Sequence, residues 1–116
     1  TEVGSIVKSL LFKTENGFVL CLVSGDKRCS LNKLKKIKKQ KNVSMANPDQ
    51  VKEITGFTIG GVSPVGHLKP LEIYIDEELS RFKNIYAAAG HPNCIFKIDF
   101  DNLTKITKGS VKNITE

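Results

Sequence analysis

Alternation of apolar and polar positions is clearest near the start of the chain. In residues 6–13, Ile6, Leu10 and Phe12 share one strand face with Lys8, and the intervening positions form the other face. Residues 18–23 are apolar on both faces, which predicts a central strand covered from two sides. A turn at residues 15–17 joins these two segments into a hairpin. Further strands are predicted at residues 43–46, 71–75, 84–88, 94–98 and 111–114.

Helical periodicity and capping residues predict four helices between these strands. Ser30 caps a helix that runs to about residue 40, with a core stripe formed by Leu31, Leu34 and Ile37. Asn47 and a following proline begin a helix over 49–55, which Gly56 ends. Residues 76–82 and 99–108 complete the set, the first capped by Asp76. Strands and helices mix without strict alternation, which predicts one α/β domain with a mixed, strongly curved, barrel-like sheet and surrounding helices.

Size and composition narrow the class of protein. At 116 residues the chain is expected to form a single domain, 1–116. It has no apolar run of the length that a membrane span needs, and no signal peptide is recognised at its start. Its three cysteines, Cys21, Cys29 and Cys94, are odd in number and lack metal-ligand spacing. We therefore expect a cytoplasmic protein with reduced thiols and no membrane association.

The net charge of +6 comes from one segment. Residues 27–42 carry eight lysines and arginines and no acidic residue, so the rest of the chain has a net charge of −2. Such a local excess is typical of contact with a polyanion such as a nucleic acid. The alternative is a lysine-rich helix face that only contacts water.

Glycines and apolar residues interleave in residues 56–67, Gly-Phe-Thr-Ile-Gly-Gly-Val-Ser-Pro-Val-Gly-His. This segment, here called the glycine loop, holds four of the nine glycines. Gly60 and Gly61 would let consecutive amides point the same way, towards an oxygen-rich ligand, and Pro64 fixes the exit of the loop. A tight, half-buried turn would explain the same pattern. Neither a P-loop nor a dinucleotide-binding motif matches.

A few side chains are further candidates for a functional role. Lys8 is a lone ammonium group on an apolar strand face, which indicates either a functional charge or a side chain that extends to water. Ser63 with His67 or His91 could suggest a nucleophile and base, but no G-x-S-x-G motif surrounds the serine. Two isolated histidines and scattered carboxylates do not predict a metal site. His91 beside Gly90 could line a pocket or lie in an exposed turn.

The glycine loop resembles the signature loop of the YbaK/aminoacyl-tRNA synthetase-associated domain family. That family includes free-standing trans-editing deacylases and the editing insertion of bacterial prolyl-tRNA synthetases. The resemblance continues upstream through residues 7–12, which contain Lys8, and the turn at 25–28. It continues downstream through Ile-Tyr-Ile-Asp at 73–76, Ile-Tyr-Ala-Ala-Ala-Gly-His-Pro at 85–92 and Asp-Asn-Leu at 101–103. Relatives usually carry a further strand and helix before the first residue, so that segment is expected to be missing here.

The resemblance implies a trans-editing aminoacyl-tRNA deacylase without a cofactor or metal. Its substrate would be a mischarged tRNA, most plausibly a small amino acid such as cysteine or alanine on tRNA-Pro, with prolyl-tRNA synthetase as a candidate partner. Ester hydrolysis would then depend on positioning and on backbone donors. The small residues Ala87, Ala88 and Ala89 would either pack beneath a neighbour or leave room for a ligand.

The resemblance assigns catalysis to Lys8, Gly60 and Gly61, and substrate binding to Val62, Ser63, Pro64, Gly66, His67, Gly90 and His91. The expected tRNA contacts are Lys35, Lys36, Lys38 and Lys39. A non-catalytic tRNA-binding module of a synthetase complex, or an interaction domain that has lost activity, would keep the same fold.

Overall fold

A five-stranded mixed sheet forms the centre of the computed structural model, which describes residues 2–91 and 93–116. The strands are β1 (Val7–Lys13), β2 (Phe18–Ser24), β3 (Ser44–Met45), β4 (Glu72–Asp76) and β7 (Ser110–Lys112), in the order β3-β1-β2-β4-β7. β1 pairs antiparallel with β2 and β3, whereas β2–β4 and β4–β7 are parallel. The apolar strand β2 lies in the middle, and its residues from Val19 to Val23 are fully buried. This confirms the predicted central strand and the mixed α/β fold.

A two-stranded antiparallel ribbon, β5 (Ile85–His91) and β6 (Cys94–Ile98), stands beside the main sheet. One isolated parallel bridge, between Ile6 and Tyr86, connects it to β1. In the described residues the strands thus form two sheets, one of five strands and one of two. Regular pairing in the ribbon is interrupted between Ala88 and His91, where Gly90 has a φ of +92°.

Three α-helices follow N-cap residues, two of which, Ser30 and Asn47, were predicted. They are α1 (Leu31–Lys38), α2 (Pro48–Thr55) and α3 (Phe100–Thr107). The Ser30 hydroxyl accepts from the Lys33 amide at α1, and Asp99 caps α3 in the same way. Asn47 and Gln50 form a reciprocal capping box at α2. The prediction that Leu31 belongs to the core is wrong, because this first helical residue is 40% exposed while Leu34 is fully buried.

The two faces of the sheet bury different cores. Leu20 and Leu22 pack with Val51 of α2 and Leu103 of α3 on one face. Cys21 and Val23 pack with Leu34 of α1 on the other. Because neighbouring residues of a strand point to opposite faces, α1 is separated by the sheet from α2, α3 and the glycine loop.

A buried carboxylate ties the end of β4 to the C-terminal residues. Asp76 is fully buried and accepts hydrogen bonds from the Ile114 amide at 3.0 Å and the Thr115 hydroxyl at 3.0 Å. It also accepts from the Glu78 amide at 3.2 Å, so it caps the short 3₁₀ helix Glu77–Arg81 as predicted. None of the helices in the described part of the chain is long and apolar enough to cross a membrane.

Candidate active site

The glycine loop begins where α2 ends. Gly56 takes a φ of +83° as the C-cap, a conformation that favours glycine. The Thr55 hydroxyl donates to the Val51 carbonyl at 2.7 Å and accepts from the Phe57 amide at 3.1 Å, which fixes the direction of the exit. Four residues after Phe57, the Gly61 amide donates to the Thr58 carbonyl at 2.9 Å and closes a tight turn. The start of the loop is therefore held by its own backbone.

The turn determines which amides of the loop stay open. Within residues 2–91 and 93–116, the amides of Gly60, Val62 and Ser63 have no hydrogen-bond acceptor, whereas that of Gly61 is taken by Thr58. Val62 and Ser63 are 4% and 7% exposed. Amides of buried residues are nearly always paired in folded proteins, so the amides of Val62 and Ser63 are candidate donors to a ligand oxygen.

His67 supports the loop from within. Its Nε2–H donates to the Ser63 carbonyl at 2.7 Å, and its ring meets Phe57 edge-on with the centroids 6.2 Å apart. The Ser63 hydroxyl instead accepts from the Val65 amide at 3.3 Å. The histidine therefore contacts the serine's carbonyl, and the two residues do not form a nucleophile–base pair.

Phe57 also connects the loop to the ribbon. A Cβ atom on Gly90 would lie 3.0 Å from Phe57 Cε1, so the ring packs directly on the glycine backbone. Gly90 is thus brought to the loop. His91 is exposed, and its Nδ1 accepts from the Asn93 amide at 3.2 Å. Pro92, which belongs to the resembling segment, lies outside the described residues.

A cavity of about 30 Å³, room for about one water molecule, lies between β1, α2 and the loop. Its wall includes Ser9, Leu11, Val51 and Val62, and the exposed side chains of Met45 and Ile59 form its rim. Ser9 Oγ is buried there. Among the buried side-chain oxygen and nitrogen atoms in the described part of the chain, it is the one that has no hydrogen-bond partner. A buried hydroxyl without a partner is costly, so Ser9 is a candidate site residue.

Ser9 was not among the residues selected from the sequence. The available signal was a single hydroxyl between Val7 and Leu11 on a strand face that is otherwise apolar. The neighbouring residue, Lys8, was selected instead, because a charged group on an apolar strand face is the stronger signal.

Lys8 lies on the opposite face of β1. It is paired with Val23 across the hairpin, and its ammonium group donates to the Lys27 carbonyl at 2.6 Å. The structure thus brings Ser9, Val62 and Ile59 together, and holds the Lys8 ammonium at the turn after β2.

The Lys8 ammonium also influences a thiol. The pKa of Cys29 is lowered, first by a hydrogen bond with Cys21 and further by the positive charge of Lys8. The same contact and full burial raise the pKa of Cys21. No cluster of three potential metal ligands occurs in the described residues.

The lysines expected to contact tRNA have different environments. Lys38 forms an ion pair with Glu72 at 2.6 Å, which holds the pKa of that carboxyl below its usual value. Lys35 borders a surface groove, and Lys36 and Lys39 are exposed. All four belong to α1 or its C-cap, on the face of the sheet opposite the glycine loop.

Comparison with known proteins decides the family. Residues 1–106 match the family described as "Aminoacyl-tRNA editing domain". The chain belongs to this family. The resemblance seen in the glycine loop and the predicted fold are both confirmed.

Relatives of this editing domain occur in larger and in free-standing proteins. It is 34% identical over 113 residues to the proline–tRNA ligase of Caldicellulosiruptor saccharolyticus, an alignment that covers 95% of this chain and 19% of that protein. It is 29% identical over 115 residues to EbsC of Enterococcus faecalis, covering 98% of this chain and 70% of that protein, whose name proposes a Cys-tRNA(Pro)/Cys-tRNA(Cys) deacylase. The chain thus spans about a fifth of the ligase it matches and most of the free-standing relative.

A solved structure shares the whole fold of the editing domain. A crystal structure described as a proposed trans-editing enzyme for prolyl-tRNA synthetase superimposes with a TM-score of 0.96 at 42% identity. The match covers 100% of this chain and 73% of that one.

Proposed function

We propose that this domain is a deacylase that hydrolyses the ester bond of a mischarged aminoacyl-tRNA. The observation that carries the proposal is the cavity of about 30 Å³, whose lining contains both the unpartnered hydroxyl of Ser9 and Val62, a residue of the glycine loop with an open amide. Family membership supports the same reaction class.

In this proposal, hydrolysis depends on the positions of a water molecule and of the ester carbonyl group. Ser9 Oγ holds a water molecule in the cavity, and the water oxygen attacks the ester carbonyl carbon. The amides of Val62 and Ser63 donate to the carbonyl oxygen as it becomes negative, and such a donor typically contributes about 10²–10³-fold in rate. The ester C–O bond then breaks, and the water's proton passes to the ribose oxygen, with assistance from the neighbouring ribose hydroxyl. The amino acid and the tRNA are released.

Lys8 and Gly60 have supporting roles in this proposal. Gly60, with a φ of +86°, allows the turn that precedes the open amides. Lys8, on the face of β1 opposite Ser9, exchanges the carbonyl of Lys27 for a phosphate of the substrate and so orients it. A charge-assisted contact of ammonium with phosphate is stronger than one with a neutral carbonyl.

The proposed substrate is a small amino acid, cysteine or alanine, on tRNA-Pro. The small residues of β5 support the size limit, with Ala87 buried and Ala88 half-buried. The names of the ligase and of EbsC support the tRNA. Prolyl-tRNA synthetase is the candidate protein partner.

The test is a panel of aminoacyl-tRNAs assayed for amino acid release. Alanyl- and cysteinyl-tRNA-Pro should be hydrolysed, while prolyl-tRNA-Pro should remain charged. If the domain binds tRNA-Pro but releases no amino acid faster than buffer, the non-catalytic tRNA-binding module replaces the enzyme.

A further inference from the structure

A groove of about 550 Å³ lies beyond the outer edge of the main sheet, next to β3. Three lysines border it, Lys13 at the end of β1, Lys35 on α1 and Lys41 in the segment before β3. Their ammonium groups have no ion pair or hydrogen bond within the residues that the structure describes. We refer to this surface as the lysine groove.

One carboxylate lies in the lysine groove, and its contacts are with backbone amides. Glu15 Oε2 accepts from the amides of Lys41 and Asn42, both at 2.9 Å. The Glu15 amide in turn donates to the Gln40 side chain at 2.8 Å. These bonds join the β1–β2 turn to the segment after α1 and hold the two segments together. The lysines are therefore positioned on a fixed backbone, and they outnumber the carboxylate.

A second groove shows the contrast. It is bordered by Lys83 and Lys105, but Asp99 and Asp101 face the same space. The charged residues of the second groove therefore sum to zero. The lysine groove has three lysines and one glutamate, Glu15, so its net charge is +2.

The lysine groove adjoins the candidate cavity. Ser44 borders the groove and Met45, the next residue of β3, lies on the cavity rim. The ladder pairs Lys13 with Ser44 and Phe12 with Met45. Consecutive strand residues are about 3.3 Å apart, so the groove begins next to the cavity rim.

We propose that the lysine groove binds the phosphate backbone of the RNA strand whose 3′ end carries the ester. This inference rests on the proposed function, because the occupant is the strand whose ester is attacked by the water held in the cavity. Lysine ammonium groups are compact charges suited to phosphate oxygens without regard to base sequence. Two other lysines of this region do not take part. Lys38 is paired with Glu72, and Lys39, the C-cap of α1, does not border the groove.

The test compares two double variants that lose the same charge. Lys13→Gln with Lys41→Gln removes two exposed charges from the groove, and Lys97→Gln with Lys105→Gln removes two exposed charges elsewhere. Deacylation is measured against salt concentration on alanyl-tRNA-Pro and on 3′-alanyl-adenosine, which keeps the ester and lacks the phosphates. Thermal melts verify that both variants fold.

For the groove variant, the slope of log(kcat/KM) against log[salt] on the tRNA should flatten by about 2, one per phosphate contact, and KM should rise about tenfold. Its rate on alanyl-adenosine should equal that of the parent, and the control variant should match the parent on both substrates. Equal slopes for the two variants would overturn the inference, as would an equal loss on alanyl-adenosine.

Failure of the proposed function would give a different result. If the parent hydrolyses neither substrate, binding of uncharged tRNA is measured by fluorescence anisotropy with the same variants. A groove variant that binds like the control then overturns the groove as an RNA surface, and a selective loss of affinity supports it.

Discussion

Replacement of Ser9 by alanine separates the two roles that a buried hydroxyl can have. Ser9 Oγ is buried without a protein partner. A buried polar group that lacks a partner costs about 1–3 kcal/mol, part of which a bound water recovers. Ser9→Ala should therefore leave the free energy of unfolding unchanged or raise it by about 1 kcal/mol.

Ser24→Ala is the matched control, because it removes the same atom from a buried serine that has partners. Ser24 Oγ contacts the Gly4 carbonyl and the Asp26 carboxylate, and accepts from Arg81 Nη2 at 2.9 Å. Its loss should lower the free energy of unfolding by about 1–3 kcal/mol. At about 2.1 cal/mol/K per residue, the 116-residue chain has an unfolding entropy of about 0.24 kcal/mol/K, so 1 kcal/mol moves Tm by about 4 °C.

The two variants should therefore differ in opposite ways: Ser9→Ala should keep its stability and lose rate, and Ser24→Ala should lose stability and keep its rate. Ser9→Ala should melt at or up to about 4 °C above the parent, while single-turnover deacylation of alanyl-tRNA-Pro falls about 10- to 100-fold. Ser24→Ala should melt about 4 °C or more below the parent and retain its rate at a temperature where it is folded. A Ser9→Ala protein with parental rate, or with a loss of Tm like that of Ser24→Ala, would refute the site described for Ser9.

Lys8→Ala should reduce deacylation at least a hundredfold, about 2.7 kcal/mol in the barrier, with Tm lowered by only a few degrees since one bond to Lys27 is lost. Lys8→Arg should not restore the full rate, because a planar guanidinium differs in shape from an ammonium group; near-parental rates in single-turnover assays of either variant would remove Lys8 from the mechanism. Alanyl-tRNA should be hydrolysed and phenylalanyl-tRNA refused, and equal release rates from the two esters would contradict a small acyl pocket. Gly90→Ala places a methyl group 3.0 Å from Phe57 at a φ of +92°, so it should lower the free energy of unfolding by about 1–3 kcal/mol; an unchanged denaturant midpoint would show that the ring is not packed on this glycine.

Local patterns predicted the elements well because the decisive signals are local. The two-sided apolar run of β2 requires cover from both faces, and Ser30, Asn47 and Asp99 cap the helices that follow them. The division of the sheet depends instead on how β5 meets β1 through one bridge at Ile6 and Tyr86. That contact joins residues 80 positions apart, and no short-range pattern contains it.

The candidate site was predicted in part for the same reason. The glycine loop is a local signal, and its place against the sheet follows from the apolar Val62. Which amides remain open depends on the turn that takes the Gly61 amide. The importance of Ser9 depends on Val51 and Val62, which the chain brings to it from more than 40 residues away.

The three hydrogen bonds to Asp76 have a consequence for the order in which the chain can fold during synthesis. Two of the donors, Ile114 and Thr115, leave the ribosome after every other element, and β7 immediately before them supplies the last strand of the sheet. Until they emerge, the carboxylate at the end of β4 has only the Glu78 amide, so closure of this end of the sheet must come last. A fragment that stops at residue 106, where the family match ends, would contain the whole glycine loop and Ser9 yet leave that carboxylate without two of its partners. Such a fragment should therefore be less stable than a chain that extends to Thr115.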